Sequence, residues 1–140
     1  RLFFSSVLYR MLEKELLDIV NECFNLDLQQ TDRYAVVDGI DHYNKVLCEV
    51  KTRNCKKNKF KTSMIGANKI KYSQRNYPSY DFLIVLEYID GIYYYLYNKY
   101  DDHQVMISGF KNGVAENRPY YFIHKDYWEK LCLDSKYEIR

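Results

Sequence analysis

The chain lacks an uninterrupted apolar run of the length a membrane span needs. Its most apolar early stretch, Leu2 to Leu17, carries Arg10, Glu13, Lys14 and Glu15, too many charges for a bilayer span. No signal-peptide pattern is visible, so an intracellular protein is expected, in the cytoplasm or the nucleus of a host cell, not secreted and not bound to a membrane. The cysteines Cys23, Cys48, Cys55 and Cys132 form no CxxC pair, and three lie in or beside apolar runs; this argues against a disulfide framework or a zinc site and for reduced thiols. His42, His103 and His124 are dispersed, and there is no HExxH, glycine-rich phosphate loop or serine-hydrolase elbow. With no repeat, low-complexity tract or linker in 140 residues, of which 47% are hydrophobic, a single domain over 1–140 is expected.

What is present is a marked asymmetry of charge. Lys45 to Arg75 holds ten basic residues and one acid, Glu49, a net +9 that leaves −7 on the rest of a chain of formal charge +2. Such a concentration is the electrostatic footprint of a face that binds polyanions, although a solvated lysine-rich loop would have the same composition.

The periodicities give a coarse order of elements. From about Phe3 to Phe24, Val7, Leu8, Met11, Leu12, Leu16, Ile19, Val20 and Cys23 recur at three- and four-residue spacings, an amphipathic helix. Arg33 to Asp41 and Lys45 to Arg53 read as strands paired through the turn residues Asp41-His42-Tyr43-Asn44. Asn54 to Lys61 is a basic loop, and Thr62-Ser63 is placed to cap a helix from about Met64 to Arg75. Tyr80 to Ile89 and Ile92 to Tyr97 form a hairpin through Asp90-Gly91. Within it, Phe82-Leu83-Ile84-Val85-Leu86 is continuously apolar, as in a central strand buried on both faces. Val105 to Phe110 and Tyr120 to His124 are further strands, and Lys125 to Leu133 is expected to be a short helix anchored by Trp128 and Leu131. The tyrosines of 93–97 suit packing in a strand better than base stacking.

The chemistry-bearing residues lie on the first hairpin. Side chains alternate along a strand, so Val46, Cys48 and Val50 share one face while Leu47, Glu49 and Lys51 share the other. Asp38 precedes them on the neighbouring strand. Two carboxylates and a lysine gathered at strand ends can hold a divalent cation and activate water.

Asp38, the ten-residue gap and Glu49-Val50-Lys51, set between an N-terminal helix and a basic helix, resemble the core of the PD-(D/E)xK nuclease superfamily. More narrowly, Asp38-Gly39, Glu49-Val50-Lys51-Thr52-Arg53 and Thr62-Ser63-Met64-Ile65-Gly66 with Lys69 resemble small nuclease-like proteins of large DNA viruses and phages. The resemblance spans about Leu12 to Tyr97; Val37 stands where the pattern often has proline. It implies an α/β (α+β) fold, a restriction-endonuclease-like αβββαβ core with a central mixed sheet flanked by helices. It also implies a Mg²⁺-dependent DNA endonuclease, with Mn²⁺ able to replace Mg²⁺. Asp38, Glu49 and the Val50 carbonyl would be the metal ligands, and Lys51 would activate water. Glu15 would be the first-helix acid, with Glu13 and Glu22 as alternatives. Lys69 would approach the substrate phosphate. Arg53, Lys56, Lys57, Lys59, Lys61, Thr62, Lys69, Lys71, Gln74 and Arg75 would contact nucleic acid. The implied partner is duplex or branched DNA bound by a homodimer. A branched-DNA resolvase, an inactive nuclease-fold binding protein and an RNA-cleaving enzyme remain the alternatives.

Overall fold

The computed structural model describes residues 6–111, 113–133, 136, 137 and 139, with side chains from Glu13 onward except at 110, 111 and 116. The first helix, α1, runs Ser6–Phe24; the start expected at Phe3 lies outside the described residues. Leu16, Leu17, Val20, Cys23 and Phe24 form its buried face, the i, i+1, i+4, i+7, i+8 pattern of a helix covered on one side. Asn25 ends it at φ 54°, and Leu26 N–H donates to the Asn21 carbonyl at 3.0 Å, the left-handed cap that satisfies a terminal carbonyl.

A mixed sheet follows, built from β1 (Gln29–Gln30), β2 (Gly39–Asp41), β3 (Val46–Thr52), β5 (Asp81–Tyr88), β6 (Gly91–Leu96) and β9 (Glu129–Lys130). These lie side by side in the order β1-β2-β3-β5-β6-β9. The pairs are antiparallel except β3 with β5, which run parallel with Glu49 opposite Ile84. The intervening crossover contains β4 (Thr62–Gly66) and helix α2 (Ala67–Asn76). β4 joins a second, three-stranded sheet with β8 (Val114–His124) and β7 (Gln104–Lys111), in the order β4-β8-β7. The described part of the molecule is thus α+β, with a mixed central sheet and two helices.

The central sheet is apolar on both sides. Val46, Cys48, Val50, Leu83 and Val85 pack against α1; Leu47, Phe82, Ile84 and Leu86 pack with Ile65, Ile70 and Ile123 of β4, α2 and β8. Strands β3 and β5 are therefore the shared wall of two cores, which is why Phe82–Leu86 reads as an unbroken apolar run.

Four segments differ from the sequence expectation. The β-prone run 33–37 is not a strand: the ladder starts only at Gly39, Tyr34 is 90% exposed, and of these side chains only Val37 is buried, in the core with Leu47 and Ile65. Thr62-Ser63 is not a helix cap but part of β4. Ser63 and Ile65 are buried while Thr62, Met64 and Gly66 are half-buried, and this period of two is that of a strand. The hairpin expected through Asp90-Gly91 turns at Ile89-Asp90, since Tyr88 pairs with Gly91. The final helix is a single 3₁₀ turn at Lys125–Tyr127 followed by β9. Trp128 is drawn into the core, and Glu129 and Lys130 extend the sheet opposite Tyr94 and Tyr93.

Candidate active site

Asp38 is placed by its main chain. Its N–H donates to the Cys48 carbonyl and its carbonyl accepts from Thr31 N–H, both at 3.0 Å. Thr31 Oγ1 also donates to the Val37 carbonyl. Gly39, next in sequence, permits this close approach: a Cβ there would sit 2.9 Å from Leu17 Cδ2. The Asp38 carboxylate then accepts a hydrogen bond from Val50 N–H through Oδ2 at 2.9 Å. The Val50 carbonyl lies on the same edge of β3, because the N–H and C=O of one strand residue point the same way.

Glu49 faces the core on the α2 side, together with Leu47. The face it shares with Leu47 is enclosed here, leaving Glu49 2% exposed. Its Oε2 lies 3.6 Å from Lys69 Nζ, and Lys69 also donates to the Val36 carbonyl. Its Oε1 is buried with no hydrogen-bond partner. Burial raises the Glu49 pKa to about 8; the neighbouring Asp38 charge adds to the rise, and Lys69 and Lys51 oppose it. The carboxyl is thus protonated in most molecules at neutral pH, next to an Asp38 carboxyl that is half-exposed. Burial, Asp38 and Glu49 likewise push the Cys48 thiol up, so it is an inert packing group.

Four of the residues singled out in the sequence, Asp38, Glu49, Lys51 and Lys69, therefore come together, with the Val50 main chain between the carboxylates. Lys69 reaches them because α2 starts directly after β4, so its first turn lies over β3. The helix α1 lies on the opposite face. Glu15 and Glu22 are exposed, and Glu22 lies near Lys45 and Val46 at the start of β3. Glu13 is half-buried and one turn from Leu17, on the face that packs at Gly39. Among the described residues, no group of three or more His, Cys, Asp and Glu side chains is gathered to hold a metal. Any ion at the pair must draw on the main chain or water as well.

The basic segment is divided in a way its composition hides. Lys56, Lys59, Lys61, Lys71, Gln74 and Arg75 are exposed; Arg53 and Thr62 are half-buried. Thr62 stands on β4, not on the helix, and Gln74 sits at a groove beside Tyr77 and Tyr97, away from the carboxylates. Lys57 is 4% exposed. Its Nζ donates to the Lys125 carbonyl at 3.3 Å and lies 5.4 Å from the Tyr93 ring and 5.9 Å from that of Trp128, so it is a structural tether that no phosphate reaches.

Asp41 is a second buried acid that sequence reasoning took only as a turn residue, and the turn it builds is real. Burial would raise its pKa, but hydrogen bonds from Asn44 and Asp27 outweigh that and hold it low. Its carboxylate is consumed by Asn44 N–H at 2.8 Å, Asn44 Nδ2 at 2.7 Å and Asp27 N–H at 2.7 Å. Asp41 thus locks the hairpin, whereas Glu49 keeps an oxygen without a partner. His103 is packed among Tyr95, Tyr97 and Tyr121, consistent with a packing role for these tyrosines. All four cysteines are free thiols, and among the described residues no helix is long and apolar enough to cross a membrane. Set against known protein families, curated proteins and solved structures, the chain matches none of them.

Proposed function

We propose that the chain is a metal-dependent nuclease of the PD-(D/E)xK type, hydrolysing phosphodiester bonds of DNA at Asp38, Glu49 and Lys51. The observation that carries this reading is the buried Glu49 carboxyl with one oxygen unpartnered, beside Asp38 and a lysine. A buried carboxyl oxygen left without a hydrogen-bond partner costs stability, and an oxygen free to ligate at that position favours a chemical role. The element order supports the same assignment. Helix α1, strands β1, β2 and β3 in antiparallel succession, helix α2, then β5 parallel to β3 are in the order that an αβββαβ core of that kind would need, if β4 is counted as an addition before α2.

The oxygens of Asp38 and Glu49 and the Val50 carbonyl fit a hard cation such as Mg²⁺ or Mn²⁺. When bound, such an ion neutralises charge on the phosphoryl oxygens and lowers the pKa of a bound water. To hold such an ion Glu49 would have to be ionised, the form that Lys69 and Lys51 favour electrostatically. Lys51, on the Glu49 side of β3, orients the attacking water and counters the charge developing on the phosphate. Lys69, beside Glu49 at the start of α2, would be placed to donate to a phosphate oxygen. If α1 adds an acid, Glu13 is better placed than Glu15 by its burial and by its turn of the helix.

The test is a panel of duplex, branched and single-stranded DNA, with RNA in parallel, incubated with Mg²⁺ or Mn²⁺. Cleavage is expected for the wild type and is lost, with binding largely kept, in Asp38→Ala, Glu49→Ala and Lys51→Ala. If no substrate in the panel is cut, the fold serves binding alone and the enzymatic reading is wrong. Size-exclusion chromatography with light scattering decides whether a homodimer forms, the state suited to cutting both strands of a duplex.

A further inference from the structure

The three-stranded sheet turns one face to the core and the other outward. Ser63, Ile65 and Ile123 are buried, so Met64, Tyr120 and Phe122 on the alternate positions occupy the outer face, with Met64 directly opposite Phe122. Gly109 lets the Tyr120 ring lie close against the strand: it has φ +103°, and a Cβ there would be 2.8 Å from that ring. The segment after β3 rims this face with Arg53 and Phe60, making a groove of about 450 Å³.

Three properties of the groove define its ligand. Its walls carry aromatic rings: Phe60 is 60% exposed, and Tyr120 and Phe122 line the same groove. Its surroundings are cationic, with exposed Lys56, Lys59 and Lys61 on the adjoining loop and Lys59 Nζ 5.5 Å from the Phe60 ring. Arg53 donates to the Met64 carbonyl at 3.1 Å, which uses one of the five N–H donors of a guanidinium. None of the described residues lining the groove is acidic. A ligand with flat rings and negative charge matches all three properties, and aromatic faces beside a basic track are how unpaired nucleotides are held.

The groove is also joined to the carboxylates by two elements. Arg53 follows Lys51 by two residues, and its N–H donates to the Glu87 carbonyl at 2.7 Å, continuing the line of β3. Strand β4 leads from Met64 into α2, where Lys69 meets Glu49. We propose that the groove binds unpaired bases of a single-stranded nucleic-acid segment flanking the bond to be cut. The location of that bond rests on the nuclease reading above; the groove itself does not.

Fluorescence anisotropy tests it on the full chain in chelator, with labelled 12-nucleotide oligo(dT), oligo(U) and a 12-base-pair duplex at two salt concentrations. The single strands are expected to bind at least about tenfold tighter than the duplex, given the stacking available per base. Phe60→Ala, at an exposed position that does not endanger folding, weakens single-strand binding roughly 5- to 100-fold. It leaves the salt dependence unchanged, because no phosphate contact is removed. Phe60→Tyr and Tyr120→Phe keep their rings and bind as the wild type does. The ratio of oligo(dT) to oligo(U) affinity identifies DNA or RNA as the source of the strand.

Equal or tighter duplex binding overturns the proposal, as does Phe60→Ala binding with wild-type affinity. Failure of every oligonucleotide to bind also overturns it, and would leave an apolar peptide as the occupant. Cleavage separates the two readings. A wild type that binds single strands through Phe60 but cuts nothing loses the nuclease assignment and keeps the groove. One that cuts with a KM unaffected by Phe60→Ala keeps the nuclease assignment and loses the groove.

Discussion

Glu49→Gln is the perturbation with the largest expected consequence, and its sign can be worked out from burial. The folded chain holds the Glu49 proton up to about pH 8, against an ordinary value of 4.5. Between these limits the folded state binds more protons than the unfolded state, so stability falls as pH rises. The contribution is fully present below pH 4.5 and lost as pH passes 8. Each unit of pH in that window removes about 1.4 kcal/mol, giving on the order of 3 kcal/mol by pH 7 and about 5 kcal/mol by pH 8 as an upper bound. Glutamine matches protonated glutamate in shape and does not ionise. In chelator, Glu49→Gln is therefore expected to equal the wild type near pH 4.5 and to exceed it by several kcal/mol at pH 8. Lys69 retains its bond to the Val36 carbonyl in either case.

Urea unfolding at pH 5, 6, 7 and 8 measures this directly. Mg²⁺ narrows the gap at high pH: an ion bound at one hundred times its Kd stabilises the wild type by about 2.7 kcal/mol and the glutamine variant far less. Because the ion must displace the Glu49 proton, calorimetry at pH 7 in buffers of different ionisation enthalpy should show about one proton released per ion bound. Parallel pH profiles for the two proteins would refute the buried, proton-holding Glu49 on which the site is built. A Mg²⁺ response that survives Glu49→Gln would place the ion elsewhere.

Two other substitutions probe the surroundings. Lys57→Ala removes a buried ammonium bonded to the Lys125 carbonyl and packed against two rings. It is expected to lower stability by about 1–3 kcal/mol in urea unfolding, with no change in the salt dependence of nucleic-acid binding. Gly39→Ala sets a methyl 2.9 Å from Leu17 Cδ2. Overpacking of about 1–3 kcal/mol then separates β2 from α1, which shifts Asp38 and weakens the Mg²⁺ stabilisation of the folded state.

The sequence makes some of this arrangement legible, and the limits have physical causes. An apolar run flanked by turn residues announces β5, and an acidic residue at position 49 among Val46, Leu47, Cys48 and Val50 announces an unusual strand. Alternation puts Glu49 and Lys51 on one side of β3, as expected. Alternation says nothing of what covers that side, and here β4, β8 and α2 cover it; the enclosure of Glu49 is a tertiary fact. The same covering explains β4. Thr62-Ser63 has the composition of a helix cap, yet pairing with β8 and burial of Ser63 and Ile65 outweigh that local preference.

Charge is misread for a related reason. Ten basic residues between Lys45 and Arg75 look equivalent in the sequence, but their stems differ in what they cross. Lys57 lies in a 3₁₀ turn pinned by its N–H to Asp90 Oδ1 at 2.9 Å, and this directs its ammonium inward between Tyr93 and Trp128. Lys69 stands in the first turn of α2, and its ammonium is held between the Val36 carbonyl and Glu49. Lys56, Lys59 and Lys61 stay exposed, and in the proposed reading they are the ones that meet the nucleic acid. A +9 segment therefore holds a core tether, a partner for the carboxylate and an exposed basic loop. The salt dependence of nucleic-acid binding should count only the last of these.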